Sequence, residues 1–250
     1  MTTRQPPPSP GDSARRAELL CESCGYALVG IDHAGSCPEC GRAVRRSLPA
    51  YRVGSDFQRS PSVRGFLRTT RCALTQPGAM FERVRIDRPR VRGFAEAHTA
   101  LAALGYLAGI SLAAQVPAVL LWPLLMVVIA VLSWIESVGL RVVGQRRSWR
   151  VSGAVAWTVV LHAMPGWTVG GVLTALGGLL SWARIDPLWE VRLGSWSAPA
   201  AGIAPAAGAL AGLLCFETLT YIGVRRCRFA NPPPPELPIP PEPAPSRDAP

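Results

Sequence analysis

The sequence predicts an α-helical multi-span membrane bundle: about four transmembrane helices plus one interfacial or half-inserted helix, behind a small N-terminal β ribbon stapled by metal. Three observations predict it. The chain is 49% hydrophobic, and its apolar residues gather between Phe94 and Val224 in runs long enough to cross a bilayer. Four of its seven cysteines form two Cys-x-x-Cys-Gly motifs close together near the N-terminus. Basic residues outnumber acidic ones by 26 to 16, and much of the excess collects at the ends of apolar runs.

Residues 1–18 read as a disordered, Pro-rich leader without the apolar core of a secretory signal. The N-terminus is therefore expected in the cytoplasm, a reducing compartment that suits metal-bound thiolates. Residues 19–46 are the ribbon. Cys21-Glu-Ser-Cys24-Gly25 and Cys37-Pro-Glu-Cys40-Gly41 are matched, with twelve residues between them. Such a turn points two sulfurs at one ion, and the following glycine permits the left-handed backbone the turn needs. Tyr26, Leu28 and Val29 are expected in a first strand, with Ala43 and Val44 continuing past the second motif. Cys21, Cys24, Cys37 and Cys40 are thus the metal ligands, and zinc in a structural role is the expected metal, with iron as competitor. A segment this short needs metal to offset its chain entropy. His33 lies between the motifs and reads as a turn residue. Cys72, Cys215 and Cys227 have no partner spacing; palmitoylation of Cys227 is the alternative to an ordinary apolar role.

Residues 47–93 form a linker and a basic amphipathic helix. Ser60 is expected as its N-cap and Pro61 as its first residue. Arg64, Arg68 and Arg71 fall on one face, and Phe66, Leu67, Thr70, Ala73 and Leu74 on the other. Such a helix before a span lies on the membrane surface or packs on its own bundle. A shorter segment resumes with Met80, Phe81 and Val84.

Residues 94–224 are the membrane domain. Spans are expected at 97–116, 118–140, 167–183 and 199–224, with a half-inserted or in-plane helix before Met164-Pro165-Gly166. Charge supports four spans. The second link carries Arg141, Arg146, Arg147 and Arg150, and the last span ends in Arg225, Arg226 and Arg228. The first link is uncharged, and in the third Arg184 and Arg192 balance Asp186 and Glu190. This places both termini in the cytoplasm. Residues 225–250 are a basic end and a Pro-rich disordered tail, in which Pro235-x-x-Pro238 is a spacer or a docking segment.

Trp122, Trp134, Trp149, Trp167, Trp182, Trp189 and Trp196 fall at span ends or in loops, with packing between helices an alternative for Trp122 and Trp134. Gly105-x-x-x-Gly109, Gly166-x-x-x-Gly170 and Gly208-x-x-x-Gly212 are expected to seat helix on helix. Glu96, His98, Glu136, His162 and Glu217 are ionisable groups in or beside apolar stretches, all toward the cytoplasmic side. Nucleophile elbows, phosphate loops, dinucleotide fingerprints and paired carboxylates are missing from the sequence, so a non-enzymatic role is expected.

The two cysteine motifs, with Tyr26-Ala-Leu-Val-Gly30 after the first, resemble bacterial zinc-ribbon modules that open membrane proteins. Pro77-Gly78-Ala79-Met80-Phe81 before a bundle of short spans resembles the Ypt-interacting-protein (Yip) family. These resemblances imply a bacterial inner-membrane adaptor or organiser without catalytic residues, with the lipid bilayer and a protein partner for the ribbon. Two alternatives stand beside it. One is a membrane-tethered nucleic-acid binder using Arg42, Arg45 and Arg46 with Tyr26 and Tyr51. The other is a small-molecule or ion transporter in which Glu217 is the leading residue.

Overall fold

The computed structural model describes residues 19–87, 89–114, 119–183, 190–193 and 196–232. The leader at 1–18, the first link at 115–118, the loop at 184–189, Pro235-x-x-Pro238, Trp189 and the Trp196 side chain lie outside the described residues. Two short 3-10 turns, Val44–Ser47 and Pro49–Tyr51, end the ribbon and lead out of it. Then come α1 (Asp56–Arg59), α2 (Val63–Thr75) and α3 (Pro77–Arg83). The long helices are α4 (Arg92–Ala114), α5 (Leu121–Arg146), α6 (Gly153–Ala163), α7 (Pro165–Trp182) and α8 (Ala200–Cys227). Before α8 the expected polar loop contains an antiparallel hairpin, β1 (Glu190–Leu193) on β2 (Trp196–Pro199).

Among the described residues, four helices are long and apolar enough to cross a membrane: Pro89–Ala114, Leu121–Arg146, Gly153–Trp182 and Ile203–Cys227. The third joins two elements expected to be separate. Met164 ends α6 and opens α7 with helical backbone on both counts, and Pro165 takes the first helical position, where its missing N–H is no loss. Thirty residues of helix reach about 45 Å, against a hydrocarbon core of about 30 Å. The surplus is α6, which is a core helix. Val155, Ala156, Val159, Val160 and Ala163 are buried, among Phe81 of α3, Leu140 of α5 and Leu219 of α8. An in-plane helix would expose one side; α6 is covered on nearly all of them.

Helix α7 is the centre of the bundle, between α4 and α8, and glycine makes that possible. A Cβ on Gly105 would lie 2.6 Å from the Gly171 carbonyl carbon, and one on Gly170 would lie 2.7 Å from Gly212 Cα. The three small-residue motifs all converge on α7, joined by Gly171, Gly177 and Gly178 of α7 itself. They seat neighbouring helices within one chain, as expected. Helix α5 packs more loosely and exposes Leu124, Val127, Val128, Val131 and Leu132, which suits a lipid-facing span.

The tryptophans divide. Trp122, Trp134 and Trp182 are exposed on the bundle. Trp167 is a correction: it is buried, donates to Ser133 Oγ at 3.2 Å and packs against Phe216 with tilted rings whose centres are 5.0 Å apart. It opens α7, but α7 opens inside the protein because α6 precedes it. A second correction concerns α2. Its N-cap is Ser62, whose hydroxyl accepts from Gly65 N–H at 3.1 Å, rather than Ser60.

Candidate metal centre

The ribbon is built from one unit used twice, at an offset of 16 residues. Gly25 N–H bonds to Cys21 O, and Gly41 N–H to Cys37 O. Cys21 N–H bonds to Tyr26 O, and Cys37 N–H to Arg42 O. Leu28 N–H reaches Leu19 O, and Val44 N–H reaches Gly35 O. The bridges Leu20↔Ala27 and Ser36↔Ala43 repeat in the same way. Gly25 and Gly41 take φ of 83° and 71°, the left-handed backbone inferred from their place after each motif. The expected strands shrink to these isolated bridges, because each knuckle turns back after a single pair.

The two units bring their sulfurs together. Cys21 Sγ lies 3.6 Å from Cys40 Sγ, Cys24 Sγ lies 3.6 Å from Cys37 Sγ, and all four lie within 4.8 Å of one another. Four sulfurs at a zinc–sulfur distance of 2.3 Å would stand about 3.8 Å apart in a tetrahedron. A disulfide would need about 2.05 Å. The donor set therefore fits one metal ion held by all four thiolates. Burial pushes the Cys24 thiol up to about 12; the Tyr26 backbone opposes this and the facing thiols of Cys37, Cys40 and Cys21 add to it. A cation among the sulfurs reverses that preference by favouring thiolates. Leu28 and Val44 back the cluster, with Leu19 and Ile31 beside them. His33 is exposed and stands outside the ligand group.

The first knuckle is locked to the helices. Glu22, between the first two ligands, is buried and paired with buried Arg52: Nε to Oε1 at 2.9 Å and Nη2 to Oε2 at 3.0 Å. Arg52 Nη1 also donates to Phe81 O at 2.9 Å and Val84 O at 3.1 Å, closing the end of α3. Burial opposes the Arg52 charge, but Cys227 and Glu22 outweigh it and keep the guanidinium protonated. Just past α8, Asn231 Nδ2 donates to Leu20 O at 2.8 Å and Ser47 O at 2.7 Å, and Arg228 donates to Ser23 O at 2.7 Å. A Cβ on Gly25 would meet Phe229 at 2.8 Å, whereas one on Gly41 would meet nothing within 4 Å among the described residues. Two equivalent turns thus differ: one is docked and the other open.

The other ionisable residues lie outside the cysteine cluster. Glu96 is exposed and pairs with Arg92 at 2.7 Å. His98 is buried between Thr70 Oγ1 at 2.9 Å and Thr168 Oγ1 at 2.8 Å. His162 is buried between Thr158 O at 2.9 Å and Ser55 Oγ at 3.1 Å. Each histidine ties the segment before the spans to a helix of the bundle. Glu136, half-buried on α5, meets α8: Thr220 hydrogen-bonds to it, and the exposed Glu217 carboxylate is close enough to interact with it. Cys227 is fully buried beneath Phe81 O, so an acyl chain would find no access to it in this fold; Cys72 and Cys215 are half-buried. Arg45 and Arg46 are exposed, Arg42 is half-buried, and Tyr26 and Tyr51 are exposed. Sequence reasoning missed Glu22, Ser47, Arg52 and Asn231, since no spacing rule links residues so distant along the chain. No protein-family model, curated protein or solved structure matches the chain.

Proposed function

We infer that this chain is a non-enzymatic integral membrane adaptor whose structural zinc ribbon presents a rigid cytoplasmic surface to a protein partner. The unequal environment of the two knuckles carries the reading. The first is fastened to the ends of α3 and α8. The second leaves Pro38, Glu39, Cys40 and Gly41 exposed at the far side of the cluster. Zinc held by four thiolates keeps no open position, so its contribution is shape. Metal analysis with a visible spectrum separates zinc, which is colourless, from iron in the same sulfur set. The cytoplasmic, inner-membrane placement draws on the arginine clusters: Arg150 and Arg228, from the second link and the last span's end, both reach the ribbon end of the molecule.

The test is affinity capture from solubilised membranes with the wild-type chain, Glu39→Arg and Cys37→Ser/Cys40→Ser. An adaptor loses the same partner in both variants while Glu39→Arg keeps its metal. An identical capture list for all three proteins would remove the mechanism. A tethered nucleic-acid binder is the second reading, favoured by exposed Arg45 and Arg46 near Tyr51. It requires steeply salt-dependent binding of DNA or RNA by the full chain, lost in Arg45→Gln/Arg46→Gln.

A further inference from the structure

Helix α2 carries three strips where its sequence suggests two. One packs on the protein: Gly65, Thr69 and Ala73 are buried, and Phe66 stacks on His98 with ring centres 4.5 Å apart. The second is apolar and open. Val63, Leu67 and Leu74 are 78%, 60% and 41% exposed, and at helical spacing they fall within about 40° of one another. The third adjoins it: Arg64, Arg68 and Arg71 are all exposed. Arg52, Arg59, Arg90, Arg92 and Arg226 each pair with a carboxylate, but these three have no acidic partner among the described residues.

The level of α2 on the bundle selects what covers it. Thr70 meets His98 in the second turn of α4. One turn further on, Leu101 and then Leu104 begin the exposed apolar side of that span. The open strips of α2 therefore stand beside the point where bare apolar helix surface starts. We propose that α2 binds an anionic bilayer surface, with Val63, Leu67 and Leu74 entering the acyl layer and Arg64, Arg68 and Arg71 holding lipid phosphates. A nucleic acid would meet the arginines but leave the apolar strip in water. The proposal rests on the bundle spanning a membrane and adds the lipid class and the residues that read it.

The full chain is reconstituted in nanodiscs of phosphatidylcholine, with or without phosphatidylglycerol, and the lipid carries a photoactivatable group just below the glycerol. Labelled peptides are then mapped. The expected result is labelling of α2 that depends on phosphatidylglycerol. It should fall about fivefold for each of Arg64→Gln and Arg68→Gln, and also in Leu67→Asn. Arg90→Gln should match wild type, and α4 labelling at Leu101–Ile110 should stay constant throughout. Labelled α4 with unlabelled α2 would overturn the proposal alone, as would equal α2 labelling in neutral discs. Absence of label on α4 would overturn the membrane reading beneath it.

Discussion

Arg52 illustrates what burial demands of a charge. Only 1% of it is exposed, and it answers with a bidentate carboxylate and two main-chain carbonyls. Removing one partner strands the other in a place water does not reach. Glu22→Gln and Arg52→Met are each expected to destabilise the protein by about 3–5 kcal/mol, read from thermal unfolding in detergent. Loss below about 1 kcal/mol would mean the pair is solvated. Ser148 offers the reverse case. Its φ of 55° lies in the left-handed region, where it ends α5 with Trp149 N–H on Gly144 O at 2.9 Å. Glycine is the usual residue there. Ser148→Gly should stabilise by about 1 kcal/mol, and an unchanged melting temperature would show that the strain is relieved elsewhere.

At the scale of elements, glycine positions separate contact from mere composition. Gly170 faces Gly212 across the α7–α8 crossing, so Gly170→Ala must push the helices apart. Gly139 sits inside α5, and among the described residues an added Cβ there would meet only a carboxylate oxygen, of Glu136, at 3.9 Å. Gly139→Ala should therefore raise stability by up to about 1 kcal/mol through helix propensity, while Gly170→Ala lowers the melting temperature. The same sign for both would refute the packing argument. The elements also explain why the amphipathic reading of α2 was incomplete. Periodicity separated its arginines from its apolar residues, but it could not tell which apolar residues the bundle already covers. Phe66 and Ala73 turn inward, whereas Leu67 and Leu74 do not.

Across the whole molecule the ribbon acts as a cap fastened to one end of the bundle. Metal loss should consequently be felt far along the chain. Chelation is expected to raise hydrogen exchange at residues 19–51 and also around Cys227–Asn231, leaving α7 protected. Fast exchange confined to the ribbon would show that the Glu22, Arg52 and Asn231 contacts do not depend on the metal. The buried histidines contribute a second attachment. His98 and His162 bind Thr70 and Ser55, so the segment between ribbon and spans is fixed from both sides.

Four long apolar helices, four sulfurs in register and glycines that meet glycines were all readable from the chain alone. Each follows from local chemistry: run length against bilayer thickness, turn geometry around a metal, and the close approach that only a missing side chain permits. The docking of the first knuckle was not readable. Neither was the burial of α6, the inward turn of Trp167 or the open strip of α2. These depend on which surfaces meet. Glu22, Arg52 and Asn231 are brought together by the path of the bundle, and a residue's neighbours across that distance are a property of the packed chain, not of its spacing.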